Sequence, residues 1–315
     1  MNSQSNWLQH LGRAQGAMAD SALPPTMDAG RDTHDTAPTR FAEADGIRFA
    51  YRRFGNPVGT PIVLLQHFMG NLDNYDPAIT DALAAGREVI LTDNAGVGLS
   101  TGSAPETVAG MARDAASLID ALGLEGVDLF GFSMGGYVAQ QMVVDRPELV
   151  RRLILVGTGP RGGEGMAQLA ADTAPLFAKR YDPQDLMWLP IFFSKSADSQ
   201  AAGRRFLARI RARTEDRDAA VSEMTVAAHS AAAREWGVAA PGSFDYLKGI
   251  HHPALVVNGS NDIVVPTVNS YILQQNLPNA ELILFPDSNH GSHFQFTEPF
   301  GRYLSGFLDR EGTSR

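Results

Sequence analysis

The chain has no cysteine among its 315 residues, which excludes a disulfide framework, a cysteine nucleophile and thiolate metal sites. It has no excess of positive charge. Its 26 Lys and Arg stand against 35 Asp and Glu, a net charge of −9 that argues against a nucleic-acid partner. No apolar run approaches the roughly 18 residues of a membrane helix, so no membrane partner is expected. The first residues lack a basic segment followed by an apolar core. No secretory leader is therefore expected, and a cytoplasmic location is the default reading. Metal-ligand spacing is also missing: His251 and His252 are adjacent and precede Pro253, which reads as a turn. Asp93, Gly96 and Gly98 lack the three-glycine spacing of a dinucleotide fingerprint. Neither a metal nor a cofactor is expected.

What is present is a chain 44% hydrophobic, enough for one large domain with an insertion. Residues 1–38 are rich in small and polar types and read as a flexible N-terminal tail; the alternative is an arm docking on a second subunit of a homo-oligomer. From Phe41 strand and helix patterns alternate. Short apolar runs at Pro61–Gln66, Glu88–Thr92, Val127–Phe132, Leu153–Val156, Ala254–Val257 and Leu282–Phe285 read as buried strands. Helices are expected over Asp76–Ala85, from Ser103-Ala104-Pro105-Glu106 to a stop at Gly123, after Phe132 up to Pro147, and over Phe294–Leu308. This alternation predicts an α/β fold with a mainly parallel central sheet flanked by helices. The core takes residues 39–160 and 248–315. Residues 161–247 hold no convincing strand; helical segments at Gln200–Arg213 and Asp218–Trp236 make this stretch read as a helical lid. Arg204, Arg205, Arg209, Arg211 and Arg213, beside Glu215, Asp216 and Asp218, read as a solvated helix face.

Gly131-Phe132-Ser133-Met134-Gly135 sits between a strand and a helix. A chain reversing this sharply needs small residues two before and two after the serine, and it raises the hydroxyl above the strand end. A serine hydroxyl is a weak nucleophile at neutral pH, so a base must take its proton and an acid must orient the base. Asp262 follows the Ala254–Val257 strand and is the candidate acid, with a local Asx-type turn as its alternative use. His290 follows the last strand on a small-residue loop and is the candidate base. His293, three residues later, is the competitor, and Asp287 is too close in sequence to be the preferred acid. The catalytic set is therefore Ser133, Asp262 and His290, in that order along the chain. The amide of Met134, at the start of a helix, is the first candidate oxyanion donor.

Three segments together resemble the α/β-hydrolase superfamily. Gly-Phe-Ser-Met-Gly-Gly at 131–136 is similar to the elbow of its esterase and cofactor-free haloperoxidase/perhydrolase-like members. Gln66-His67-Phe68-Met69-Gly70-Asn71 stands where the family has a His-Gly-x-Pro loop, and Asp93–Ser100 is similar to its Asp-x-x-Gly-x-Gly-x-Ser loop. The resemblance covers about residues 39–310 apart from the lid, and it implies the α/β-hydrolase fold. Phe68 replaces the usual Gly, and Gly70 stands where Pro is common. By register the resemblance implies Met69 as the second oxyanion donor, with Phe68 as fallback, and gives His67 the task of organising its loop. A serine at the elbow argues against the family's dehalogenases and epoxide hydrolases, which use aspartate there.

These readings predict a serine hydrolase that cleaves a small, fairly apolar carboxylic ester, lactone or related acyl compound through an acyl-enzyme. Hydrolysis of a carbon–carbon bond in a diketone-like compound, and perhydrolysis, use the same triad. A non-enzymatic ligand receptor on the same fold is the reading from another class. Met187, Trp188, Leu189, Ile191, Phe192 and Phe193 form an apolar cluster in the lid. Phe68, Trp188, Phe192, Phe193, Trp236 and His293 are the candidate pocket residues.

Overall fold

The computed structural model describes residues 32–310. Eight strands form one sheet: β1 (Arg40–Ala44), β2 (Ile47–Gly55), β3 (Ile62–Leu65), β4 (Glu88–Thr92), β5 (Val127–Phe132), β6 (Val150–Val156), β7 (Ala254–Gly259) and β8 (Ala280–Phe285). Their order is β1-β2-β4-β3-β5-β6-β7-β8. β1 and β2 pair antiparallel, β2 pairs antiparallel with β4, and every pair beyond is parallel. The helices are α1 (Pro77–Ala84), α2 (Val108–Ala121), α3 (Met134–Asp145), α4 (Ala174–Ala178), α5 (Trp188–Phe192), α6 (Ala197–Ile210), α7 (Glu223–Gly237), α8 (Val268–Asn276), α9 (Ser292–Gln295) and α10 (Thr297–Leu308).

The central strands are buried on both faces because the side-chain period of two feeds two cores. Ile62 and Leu64 of β3 and Phe130 of β5 pack with Ile79 and Leu83 of α1 and Phe300 and Leu304 of α10. Val63, Leu65 and Leu129 pack on the other face with Met111 of α2, Val138 and Met142 of α3 and Leu273 of α8. Each such side chain, fully buried, contributes roughly 1.5–3 kcal/mol. The chain leaves β3 towards β4 on one side and returns to β5 on the other. The strand order therefore reverses beside β3 and β5, and their carboxyl ends open a crevice there.

Several boundaries differ from the sequence reading. α2 starts at Val108, not near Ser103. Pro105 keeps its predecessor out of the helical region, and Thr107 caps the helix by accepting from the Gly110 amide at 3.1 Å. The closing helix breaks at Phe296, which separates α9 from α10. In the stretch between β6 and β7, Ser196 and Ser222 cap α6 and α7 through the Ser199 and Thr225 amides.

The expected tail also ends earlier than residue 38. The His34 amide donates to Asp81 at 2.7 Å, its ring meets Thr80 Oγ1 at 2.8 Å, and Ala37 is buried. The rest of that expected tail lies largely outside the described residues. The arginine cluster is likewise not a solvated face throughout. Arg213 is buried and donates to the carbonyls of Asp35 and Ala37 at 2.9 Å. Arg209 forks onto the buried Asp76 carboxylate at 2.7 and 2.6 Å, and so ties α6 to the start of α1. Among the described residues no helix is long and apolar enough to cross a membrane.

Candidate active site

Ser133 joins β5 to α3 with φ 55° and ψ −119°, a conformation an L-residue adopts only under constraint. Its neighbours impose it. The Ser133 amide donates to Val156 at 2.9 Å, and its carbonyl accepts from the Gly136 amide at 2.9 Å and from Thr158 Oγ1 at 2.8 Å. No side chain fits at Gly135, where a Cβ would drive into the Leu65 carbonyl, or at Gly131, where it would meet the Gly135 carbonyl. The two glycines are therefore steric necessities of the turn.

His290 lies on the loop after β8, and its Nε2 is 2.8 Å from Ser133 Oγ. Its Nδ1 is 2.8 Å from Asp262 Oδ2, beyond the end of β7. The other carboxylate oxygen, Asp262 Oδ1, accepts from the amides of Val264 and Val265 at 2.8 and 3.0 Å. The carboxylate thus forms the local turn and also meets the imidazole. An acceptor at Asp262 puts the ring proton on Nδ1 and leaves the Nε2 lone pair for the serine hydroxyl. This chain of contacts can take a proton from Ser133 as its oxygen attacks an electrophile.

His293 is not part of that chain. It is buried among Phe130, Phe132, Phe294 and Phe300, and burial holds its pKa well below the ordinary value. Asp287 instead accepts from Ser194 Oγ at 2.6 Å and Ser196 Oγ at 2.5 Å.

A cavity of about 580 Å³ opens at Ser133 and His290. Of the six candidate pocket residues, Phe68, Trp188 and Phe192 line it. Phe193, Trp236 and His293 do not. Phe193 turns towards Phe206 of α6. Trp236 stacks on Tyr137 at 5.5 Å between ring centroids and donates to the Gly159 carbonyl, one layer behind the wall. Tyr137 itself lines the cavity, as do Met166, Phe177 and Val264. Tyr137 could have been found from the sequence, because it stands one helical turn past the elbow. Met166 stands in the irregular stretch after β6, Phe177 in the short helix α4 and Val264 in the turn after β7, where no periodicity marks them.

Met134 is the first residue of α3, so its amide has no intrahelical acceptor. The loop after β3 brings both remaining candidate donors, Phe68 and Met69, to the cavity. The Met69 amide points to Nδ1 of His229 on α7, at 3.4 Å. The His67 carbonyl accepts from the Gly70 amide at 2.9 Å. The Phe68 amide has no acceptor among the described residues, and the Met69 amide meets only the long contact to His229. His67 Nδ1 lies 2.8 Å from the Phe68 carbonyl, and burial lowers its pKa to about 3, so the ring stays neutral. Behind this loop the Leu72 amide donates to the buried carboxyl of Asp93 at 2.9 Å and to Asp218 at 3.2 Å. Burial, then the neighbouring Asp218, pushes the Asp93 pKa well up. Among the described residues no group of three His, Cys, Asp or Glu side chains could hold a metal ion.

Residues 60–297 match a family model described as alpha/beta hydrolase fold. The solved structure of an alpha/beta hydrolase fold protein from Chitinophaga pinensis is 40% identical, with a TM-score of 0.83, covering 89% of this chain and 100% of that one. A 2-hydroxy-6-oxononadienedioate/2-hydroxy-6-oxononatrienedioate hydrolase of Burkholderia vietnamiensis is 31% identical over 245 residues, 73% of this chain and 80% of that protein. The solved structure of an N-acyl homoserine lactone degrading enzyme is 27% identical, with a TM-score of 0.66, covering 85% of this chain and 100% of that one.

Proposed function

Because the chain belongs to the α/β-hydrolase fold family and is an α/β-fold hydrolase, we propose that it cleaves small, fairly apolar carboxylic esters or lactones through a Ser133 acyl-enzyme. The observation that carries this reading is the unbroken contact from Asp262 through His290 to Ser133, two distances of 2.8 Å, at the floor of the cavity. Ser133 Oγ attacks the acyl carbon and His290 Nε2 takes its proton. The amide of Met134, with that of Met69 or its fallback Phe68, holds the negative oxygen of the tetrahedral intermediate. His290 then protonates the leaving alcohol, and the same base activates the water that releases the acid.

The wall favours an apolar acyl group, since Phe68, Phe177, Trp188, Ile191 and Phe192 present rings and methyls to it. The cavity volume of about 580 Å³ suits a small ligand. The lactone-degrading relative supports including cyclic esters. The dienedioate hydrolase relative favours a second reading, hydrolysis of a carbon–carbon bond next to a carbonyl. A screen over p-nitrophenyl esters of graded acyl length, γ-lactones and vinylogous diketones, with Ser133→Ala as control, tests both. Turnover of esters or lactones lost in the variant is expected. Turnover of the diketones alone would replace the first reading by the second, and turnover of none would overturn both.

A further inference from the structure

The two residues that flank His290 are both held by the inserted helices. The Gly291 amide donates to the Phe192 carbonyl at 3.0 Å, and Asn289 Nδ2 donates to the Phe193 carbonyl at 3.1 Å. These carbonyls are consecutive and stand where α5 ends, so no further helical turn supplies them with donors. The Gly291 N–H belongs to the peptide unit joined directly to the His290 Cα, and Asn289 anchors the chain one residue before it. The candidate base is therefore gripped on both sides by one short stretch of the insertion.

The approach is close enough to dictate a residue type. A Cβ at Gly291 would stand 2.5 Å from that of Phe192, whereas its φ of −97° makes no demand for glycine. The same stretch meets the loop a third time where Asp287 accepts from Ser194 Oγ and Ser196 Oγ. From the core side, the Asn261 amide donates to the Ser288 carbonyl at 3.1 Å. Phe192 also turns its ring to the cavity, 6.0 Å from the ring of His290, so one residue meets the substrate space, the base and the loop that carries it.

We propose that Asn289 is a positioning residue. With the Gly291 amide it latches the histidine loop to the end of α5, and so holds the His290 ring in line between Asp262 and Ser133, 2.8 Å from each. The proposal rests on the serine-hydrolase reading of the site. It makes the insertion a part of the catalytic geometry as well as a wall of the pocket. Without the latch the loop keeps its attachment to β8 and to the turn of Asp262, but the ring leaves that line for part of the time. A base displaced by about 1 Å loses rate, while substrate binding, which uses the apolar wall, is kept.

The test is Asn289→Leu, which keeps comparable bulk and removes the donor. On p-nitrophenyl butyrate the variant is expected to lose roughly 10- to 100-fold in kcat, with KM changing less than about 3-fold. Proton NMR adds a readout that needs no turnover. The His290 Nδ1 proton, shared with Asp262, is expected as a far-downfield resonance in the wild type, and as a broadened or missing one in the variant. A variant with wild-type kcat overturns the proposal, and so does one whose resonance is unchanged. Hydrogen exchange at the Gly291 amide of the wild-type protein keeps the test open if the variant does not fold. Strong protection there sustains the latch, and exchange at the rate of an unstructured chain overturns it. A wild-type protein that hydrolyses no ester or lactone would instead count against the proposed function, leaving the resonance and the exchange rate to judge the latch.

Discussion

Where the sheet meets the cavity, position is set by backbone. Ser133, Asp262 and His290 each lie just past a strand end, and Ser133 is fixed by its own amide and carbonyl to β6 and its loop. Where the inserted helices meet the cavity, position is set by side chains reaching far across the chain. Arg209 grips Asp76, Arg213 grips the carbonyls near His34, Thr225 grips Gly96 and His229 grips Met69. Backbone placement tolerates change in most side chains but almost none in glycine. Side-chain placement can be released one bond at a time, which makes the insertion the adjustable half.

The largest expected effect lies on the sheet side. Ser133→Ala and His290→Ala should each lower kcat/KM by about 10⁴-fold or more, while His293→Ala should cost far less in chemistry. Steady-state kinetics at matched folded fraction decides it; equal losses at the two histidines would break the assignment. Next is the turn itself. Gly135→Ala should destabilise the fold by roughly 3 kcal/mol, because the new methyl meets the Leu65 backbone and cannot be accommodated by a rotamer. Urea unfolding measures this.

On the insertion side, Asp76→Asn should cost about 2–3 kcal/mol. It removes a buried carboxylate from a guanidinium that is itself partly solvated, so the full penalty for a buried pair does not apply. The same variant should accelerate proteolysis within residues 161–247, whereas Gly135→Ala should not do so selectively.

A smaller effect reads the seam between the two regions. Burial, followed by the charges of Arg52 and Arg213, lowers the His34 pKa to about 3 from the ordinary 6.5. The unfolded chain takes up a proton below pH 6.5 that the native state refuses until about pH 3. The stability tied to a neutral His34 is therefore complete above pH 6.5 and is lost as pH falls. Between pH 4 and 6, His34→Asn should flatten the fall by about 1.4 kcal/mol per pH unit, one proton's worth. Urea titrations at several pH values test the slope, which is independent of any constant offset from the substitution. Smallest of all, deletion of residues 1–31 should change stability by less than about 0.5 kcal/mol, on its polar composition. Deletion to residue 38 should cost several-fold more, since it removes His34 and Ala37 from their contacts.

The same contrast explains what could be read in advance. Strands such as β3 and β5 are short apolar runs bounded by turn residues, and burial on both faces leaves that continuous run in any sequence that builds them. Ser133, Asp262 and His290 could be picked out because each follows such a run, and because an elbow leaves a glycine imprint at fixed spacing. The insertion left no comparable imprint. Arg213 reads as one more exposed cation until the carbonyls of Asp35 and Ala37 are seen beneath it. Trp236 and Phe193 are apolar enough to predict burial, but composition does not say on which side of a helix the cavity lies. His229 sits in an alanine-rich helix with no motif around it, and only its contact with Met69, 160 residues away, gives it meaning.

The central claim is that Ser133 is a nucleophile activated by His290. Labelling with a fluorophosphonate, followed by peptide mass spectrometry, tests it most directly. The account predicts a single stoichiometric adduct on the peptide containing Ser133, absent from Ser133→Ala and slowed by orders of magnitude in His290→Ala. An unlabelled wild-type protein, or an adduct that persists in Ser133→Ala, would contradict it.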